Sequence, residues 1–195
     1  MFASVITGNL VVLALSAARA EGRLARYAAC AISGYALGVI LAAPRRTKND
    51  EDRPAWPEST TRALGAELAL LITFAVVWEI DGRAPARGVQ IAMLVLCAGA
   101  MGVQSTAVRR VGDASTTYLT STLTGLLEAI VVRFGADQAR SLGILLALAC
   151  GAAAAAVLIG HAFAWLPALQ LLPLAIVELV SLRLIRPRRG ARTPA

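Results

Sequence analysis

Residues 88–107 read GVQIAMLVLCAGAMGVQSTA, twenty positions without a Lys, Arg, Asp or Glu. An α-helix rises 1.5 Å per residue, so the stretch covers about 30 Å, the thickness of the bilayer hydrocarbon core. It reads as a membrane-spanning helix. Outward from it the chain repeats the pattern, with apolar blocks at roughly 3–20, 27–43, 63–80, 115–132, 141–160 and 164–185. The 195 residues are 57% hydrophobic and only 16% charged, with a mean hydropathy of +0.67. A water-soluble domain carries more charge than this. Backbone N–H and C=O groups in lipid must bond within their own segment, so the blocks are expected to be helices. The expected fold is therefore an all-α, polytopic membrane helix bundle of about seven spans. The first, second and fifth blocks are short or interrupted by polar residues, and six spans result if one of them does not cross.

The first block is not read as a cleaved signal peptide. No Lys or Arg precedes its apolar run, and Asn9 interrupts it. Cys30, Cys97 and Cys150 lie one to a block with no C-x-x-C pair, which excludes a zinc knuckle and argues against a disulfide framework. Neither a metal nor another cofactor is expected. The net charge of +7 comes from Arg at block ends and in the tail RLIRPRRGARTPA. Without interleaved aromatics, that pattern fits anionic lipid headgroups rather than nucleic acid. With seven spans, alternate loops hold 12 and 7 Lys and Arg residues, and the positive-inside rule puts the C-terminus in the cytoplasm.

The segment PRRTKNDEDRPAWPESTTR, residues 44–62, is the one long polar connector and reads as a flexible linker between two related halves. The expected division is 1–86 for the first half, 87–186 for the second and 187–195 for a basic tail. The repeat sets Thr7, Gly8 and Asn9 over Thr120, Ser121 and Thr122, each trio followed by Leu. A fainter echo pairs the Gly34-x-x-x-Gly38 of the second block with Gly151 and its alanines. Small residues four apart let membrane helices approach closely, so Gly34, Gly38 and Gly151 are expected at helix contacts, and such faces leave room for a homo-oligomer.

Phe2-x-x-x-x-Thr7-Gly8-Asn9, then Gly102-x-Gln104, then Thr120-x-Thr122-Leu123 form an ordered set. This set resembles the YoaK family of small bacterial inner-membrane proteins, with F-x-x-x-x-T-G-N in its first half and G-x-Q-N-A-like and T-G-T-L motifs in its second. The likeness runs over nearly the whole chain. It implies a multi-pass protein of the bacterial inner membrane and carries no established chemistry. Ser121 replaces the Gly of the second motif. The family's opening helix, with its G-x-x-D, has no counterpart before Phe2. The expectation is a numbering that starts at an internal Met, one span late.

Residues 115–124, STTYLTSTLT, hold seven Ser or Thr. On a helix, Thr117, Ser121, Thr124 and Glu128 share one face and form a polar stripe. Ser and Thr can bond back to backbone carbonyls and open a helix, while Glu128 in lipid must face protein or water. Thr7, Gly8, Asn9, Gln104, Thr117, Thr120, Ser121, Thr122, Thr124 and Glu128 are the expected polar site or helix break, in the manner of repeat-built transporters. An inter-helix hydrogen-bond seam without a substrate explains the same stripe. Glu67 and Glu178 sit near the ends of their blocks, where they can snorkel or meet a partner. His161 falls at a turn between the last two blocks. No G-x-S-x-G, H-E-x-x-H, P-loop or G-x-G-x-x-G is present, so no catalytic residue and no enzyme activity are expected. The expected function is a transporter or channel for a small solute, and the alternative is a non-transporting membrane scaffold.

Overall fold

The computed structural model describes residues 5–43, 57–81, 85–111, 123, 126–127 and 135–185, and its described elements are helices. They are α1 (Ile6–Ala18), α2 (Gly22–Ala42), α3 (Glu58–Asp81), α4 (Arg87–Val111), α5 (Ala136–His161) and α6 (Leu166–Ile185), the last entered through a 3-10 turn at Phe163–Trp165. Five of them are long and apolar enough to cross a membrane, from α2 to α6. With 13 residues, α1 is about 20 Å long and falls short of the hydrocarbon core. The fifth expected block, 115–132, lies almost wholly outside the described residues.

Each boundary has a local cause. α1 ends in a Schellman motif: the N–H of Ala20 reaches Ala17 O at 3.3 Å and that of Glu21 reaches Ser16 O at 2.8 Å. Ala20 takes the left-handed conformation, φ 56°, that this motif requires. At the start of α3, Pro57 accepts from the N–H of Thr60 at 2.9 Å, and Glu58 puts a negative charge on the first turn. The expected linker 44–62 is thus corrected at its C-terminal end. Residues 58–62 are helix, and Thr60 and Thr61 are buried. Hydropathy alone misplaces this start, because the first turn of the helix is polar. At α5, the side chain of Gln138 accepts the N–H of Gly135 at 3.0 Å.

α4 is the central helix. It packs on α2 along one side and on α3 along another, while α1 covers α2 and α6 covers α3. The α2–α4 contact is made backbone to backbone. A Cβ on Gly34 would stand 2.9 Å from Val95 O, and one on Gly38 would run into the carbonyl group of Gly99. On the α4 side, a Cβ on Gly102 would meet the backbone of Tyr35. Gly34 and Gly38 both stand at this close approach of α2 to α4. Gly151 has open space around it, and no described residue of α5 is buried.

Cross-contacts fix the directions. Tyr27 donates to Gln90 Oε1 at 2.9 Å near the start of both α2 and α4, and Arg110 donates to the carbonyl of Ala42 at their ends. α2 and α4 are parallel. α3 runs the other way, with Arg110 reaching Ser59 O at 2.8 Å. α6 opposes α3 in turn: Phe163 stacks on Trp78 with centroids 4.6 Å apart, and Thr61 donates to Ser181 at 3.3 Å. α5 ends at the Trp78 end, next to Phe163. Crossing the bilayer, it therefore starts at the Ser59 end, where α4 also finishes. Val111 and Gly135 then share one end of the bundle.

Candidate functional site

A cleft of about 650 Å³ lies between α3, α4 and α6. α3 lines it with Thr60, Leu64, Glu67 and Leu71, one residue every three or four positions, which is one face of a helix. α4 contributes Cys97, Met101, Gln104 and Ala107 among others, and α6 contributes Gln170, Pro173 and Leu174. Most of the wall is apolar and continuous with the core cluster of Leu64, Leu71, Ala107 and Leu174.

Glu67 is the exceptional residue of this wall. It is 2% exposed and is the largest fully buried side chain among the described residues. α3 spans Glu58–Asp81, so Glu67 lies within about 5 Å of the helix midpoint along the axis. At that depth a snorkelling route to water is long, which corrects the sequence placement of Glu67 near the start of its block. The side chain of Gln104 lines the same cleft from the facing helix α4. Among the described residues, Oε2 of Glu67 has no hydrogen-bond partner, and neither does the hydroxyl of Thr60, which is 1% exposed. Buried polar atoms are normally paired, so two unpaired oxygens in one cleft mark a place built for something else.

Of the residues the sequence singled out, Gln104 lines this cleft, as Glu67 does. Thr7, Gly8 and Asn9 do not line it. They form the first described turn of α1, where the N–H of Asn9 bonds Val5 O at 3.1 Å. Asn9 is fully buried. Thr117, Thr120, Ser121, Thr122, Thr124 and Glu128 lie outside the described residues. The sequence reading weighed Glu67 but kept it out of the site, and it missed Thr60. The available signal was Thr60, Leu64, Glu67 and Leu71 on one helical stripe, visible only with the helix started at Glu58.

A second polar cluster ties α3 to α6 at the Ser59 end. Ser181, itself taking the Thr61 hydrogen, donates to the backbone oxygen of Glu178 at 2.8 Å and lies 3.3 Å from its Oε2. This cluster is internally satisfied and holds the cleft walls together. Among the described residues no group of three or more His, Cys, Asp or Glu could hold a metal ion. His161 is exposed at the end of α5.

The family described as protein of unknown function (DUF1275) matches residues 1–180. The chain is 32% identical over 132 residues to the UPF0700 transmembrane protein YoaK of Bacillus subtilis (strain 168), an alignment covering 67% of this chain and 56% of that protein. The chain thus spans little more than half the length of the curated relative it matches. No solved structure matches it. An ordered motif set, an all-helical bundle with five span-length helices and a family match along nearly the whole chain agree: this is a multi-pass membrane protein and a member of the DUF1275 family.

Proposed function

We propose that this protein binds and moves a small solute, and that the α3–α4–α6 cleft is its site. One observation carries the reading. Glu67 Oε2 and Thr60 Oγ1 are buried, without partners among the described residues, on the wall of a cleft whose volume falls within the usual range for ligand sites. An ionisable side chain deep in a membrane bundle is costly and marks a solute or ion path by default. A scaffold that only packs helices has no use for an orphaned carboxylate oxygen. The reading assigns the cleft binding and passage, with no bond-making chemistry.

The test is uptake of a panel of small radiolabelled solutes into proteoliposomes. Met101 lines the cleft and Leu146 sits exposed on α5. Met101→Trp should abolish whatever uptake is found, and Leu146→Trp should leave it intact. No uptake of any solute, or equal loss with both variants, would favour the scaffold.

The same reading places the protein in the inner membrane, with its five span-length helices crossing in alternate directions. The linker and the tail then share a side with Arg109, Arg110, Arg133 and Arg140. That side holds 14 Lys and Arg residues and the other holds 5, a stronger asymmetry than seven spans allow. The expected result is a cytoplasmic C-terminus together with a cytoplasmic 44–56 segment, where basic residues meet anionic headgroups. Single cysteines at Arg53 and Arg83, in a background without Cys30, Cys97 and Cys150, check it. An impermeant thiol reagent added outside intact cells should label position 83 and spare position 53, and the reverse pattern would overturn it.

A further inference from the structure

Resting on the cleft as the binding site, we propose its ligand class: a primary or secondary organic ammonium ion with an apolar body, held by Glu67 as counter-ion. Among the described lining residues there is no Lys, Arg or His. An anion would face only the Glu67 carboxylate, and a wholly apolar ligand would leave Oε2 as unpaired as it is now. An inorganic cation needs a cage of several oxygens, whereas this wall is mostly Leu, Val, Ala and Met. The remaining polar features also favour positive charge. Pro173, on the cleft wall, has no N–H for the carbonyl of Leu169 and so leaves that oxygen without its usual helical bond. Oε2 of Glu67, buried and without a partner among the described residues, is left to accept an N–H from the ligand. The need for an N–H excludes quaternary ammonium as the best fit.

The second orphan sets a length. Thr60 and Glu67 are seven residues apart on one helical face, about 10 Å along the axis. The tightest ligands therefore carry a hydroxyl or amide roughly that far from the ammonium group, across an apolar spacer that lies on Leu64.

The experiment compares phenethylammonium with its uncharged counterpart 2-phenylethanol, titrated calorimetrically into the full chain in nanodiscs of zwitterionic lipid. The ammonium should bind about tenfold more tightly than the alcohol. Glu67→Gln should erase that preference. A second measurement needs no variant. A lipid-soluble carbodiimide should label Glu67 of the native chain, read by peptide mass, and phenethylammonium should slow the labelling where the alcohol does not. Equal affinity for the two probes, unaltered by Glu67→Gln, would overturn the ammonium assignment and leave the cleft a binding site. Absence of binding by both probes, with Glu67 labelling unaffected by either, would overturn the assignment and count against the cleft as well.

Discussion

Gly38→Leu should prevent assembly of the bundle. The position leaves no room even for a methyl group, because a Cβ there would overlap the Gly99 carbonyl and stand 3.0 Å from its Cα. Backbone cannot rotate away as a side chain can, so α2 and α4 must separate along their length. Overpacking a well-packed core costs about 1–3 kcal/mol for modest additions, and Gly38→Ala should already lie in that range. A branched four-carbon side chain exceeds it, and the expected result is loss of the monodisperse peak on size exclusion in mild detergent. Gly102→Leu should behave alike, since its Cβ would meet Tyr35 from the other side. Gly151→Ala is the control. Nothing lies within 4 Å of that site, and Ala exceeds Gly in helix propensity by about 1 kcal/mol, so its melting temperature should hold or rise. A Gly38→Leu protein that melts like the native one would show that α2 and α4 do not meet as described.

Arg110→Ala should lower stability by about 2–4 kcal/mol, read from thermal melts in detergent. One guanidinium bridges two helix ends, donating to Ser59 O at 2.8 Å and to the carbonyl of Ala42. Ala42 is the last residue of α2, and the closing carbonyls of a helix have no partner of their own. A positive charge there also opposes the negative end of the helix dipole. Hydrogen bonds to charged groups contribute about 1.5–3 kcal/mol each when partly buried, and partial exposure of Arg110 reduces the sum. Arg110→Lys should recover less than half of the loss, since a single ammonium lacks the planar fork that spans both acceptors. Full recovery by Lys would mean that charge alone matters at this corner.

How much of this was legible beforehand follows from where each signal resides. The spans of α4, α5 and α6 stood out because lipid imposes the same demand on every residue of a block. Gly34 and Gly38 were legible because close helix approach needs small residues at one spacing. The start of α3 was not, since a polar first turn looks the same as the end of a linker in composition. With that turn lost, Thr60 dropped out and Glu67 moved toward a membrane surface it does not occupy. That Glu67 and Gln104 line one cleft was beyond reach for another reason. Thirty-seven positions separate them, and only the antiparallel register of α3 and α4 brings them together. Asn9 joined the expected site through a sequence echo with Thr122, and an echo gives no information on which helices touch.

The parallel course of α2 and α4 bears on how the chain is made. Neighbours joined by a tight turn can enter the bilayer as a pair, but two helices pointing the same way cannot. α3 must cross back between them first. Gly99 follows Gly38 by 61 residues, and at about 5–20 residues per second it leaves the ribosome roughly 3–12 s later. For that interval α2 waits in lipid with its glycine groove uncovered, shielded on one side by α1 alone. The tightest contact in the mature protein is thus one of the later ones to form. A chain stalled in the loop before α4 presents membrane quality control with a helix still lacking its principal partner.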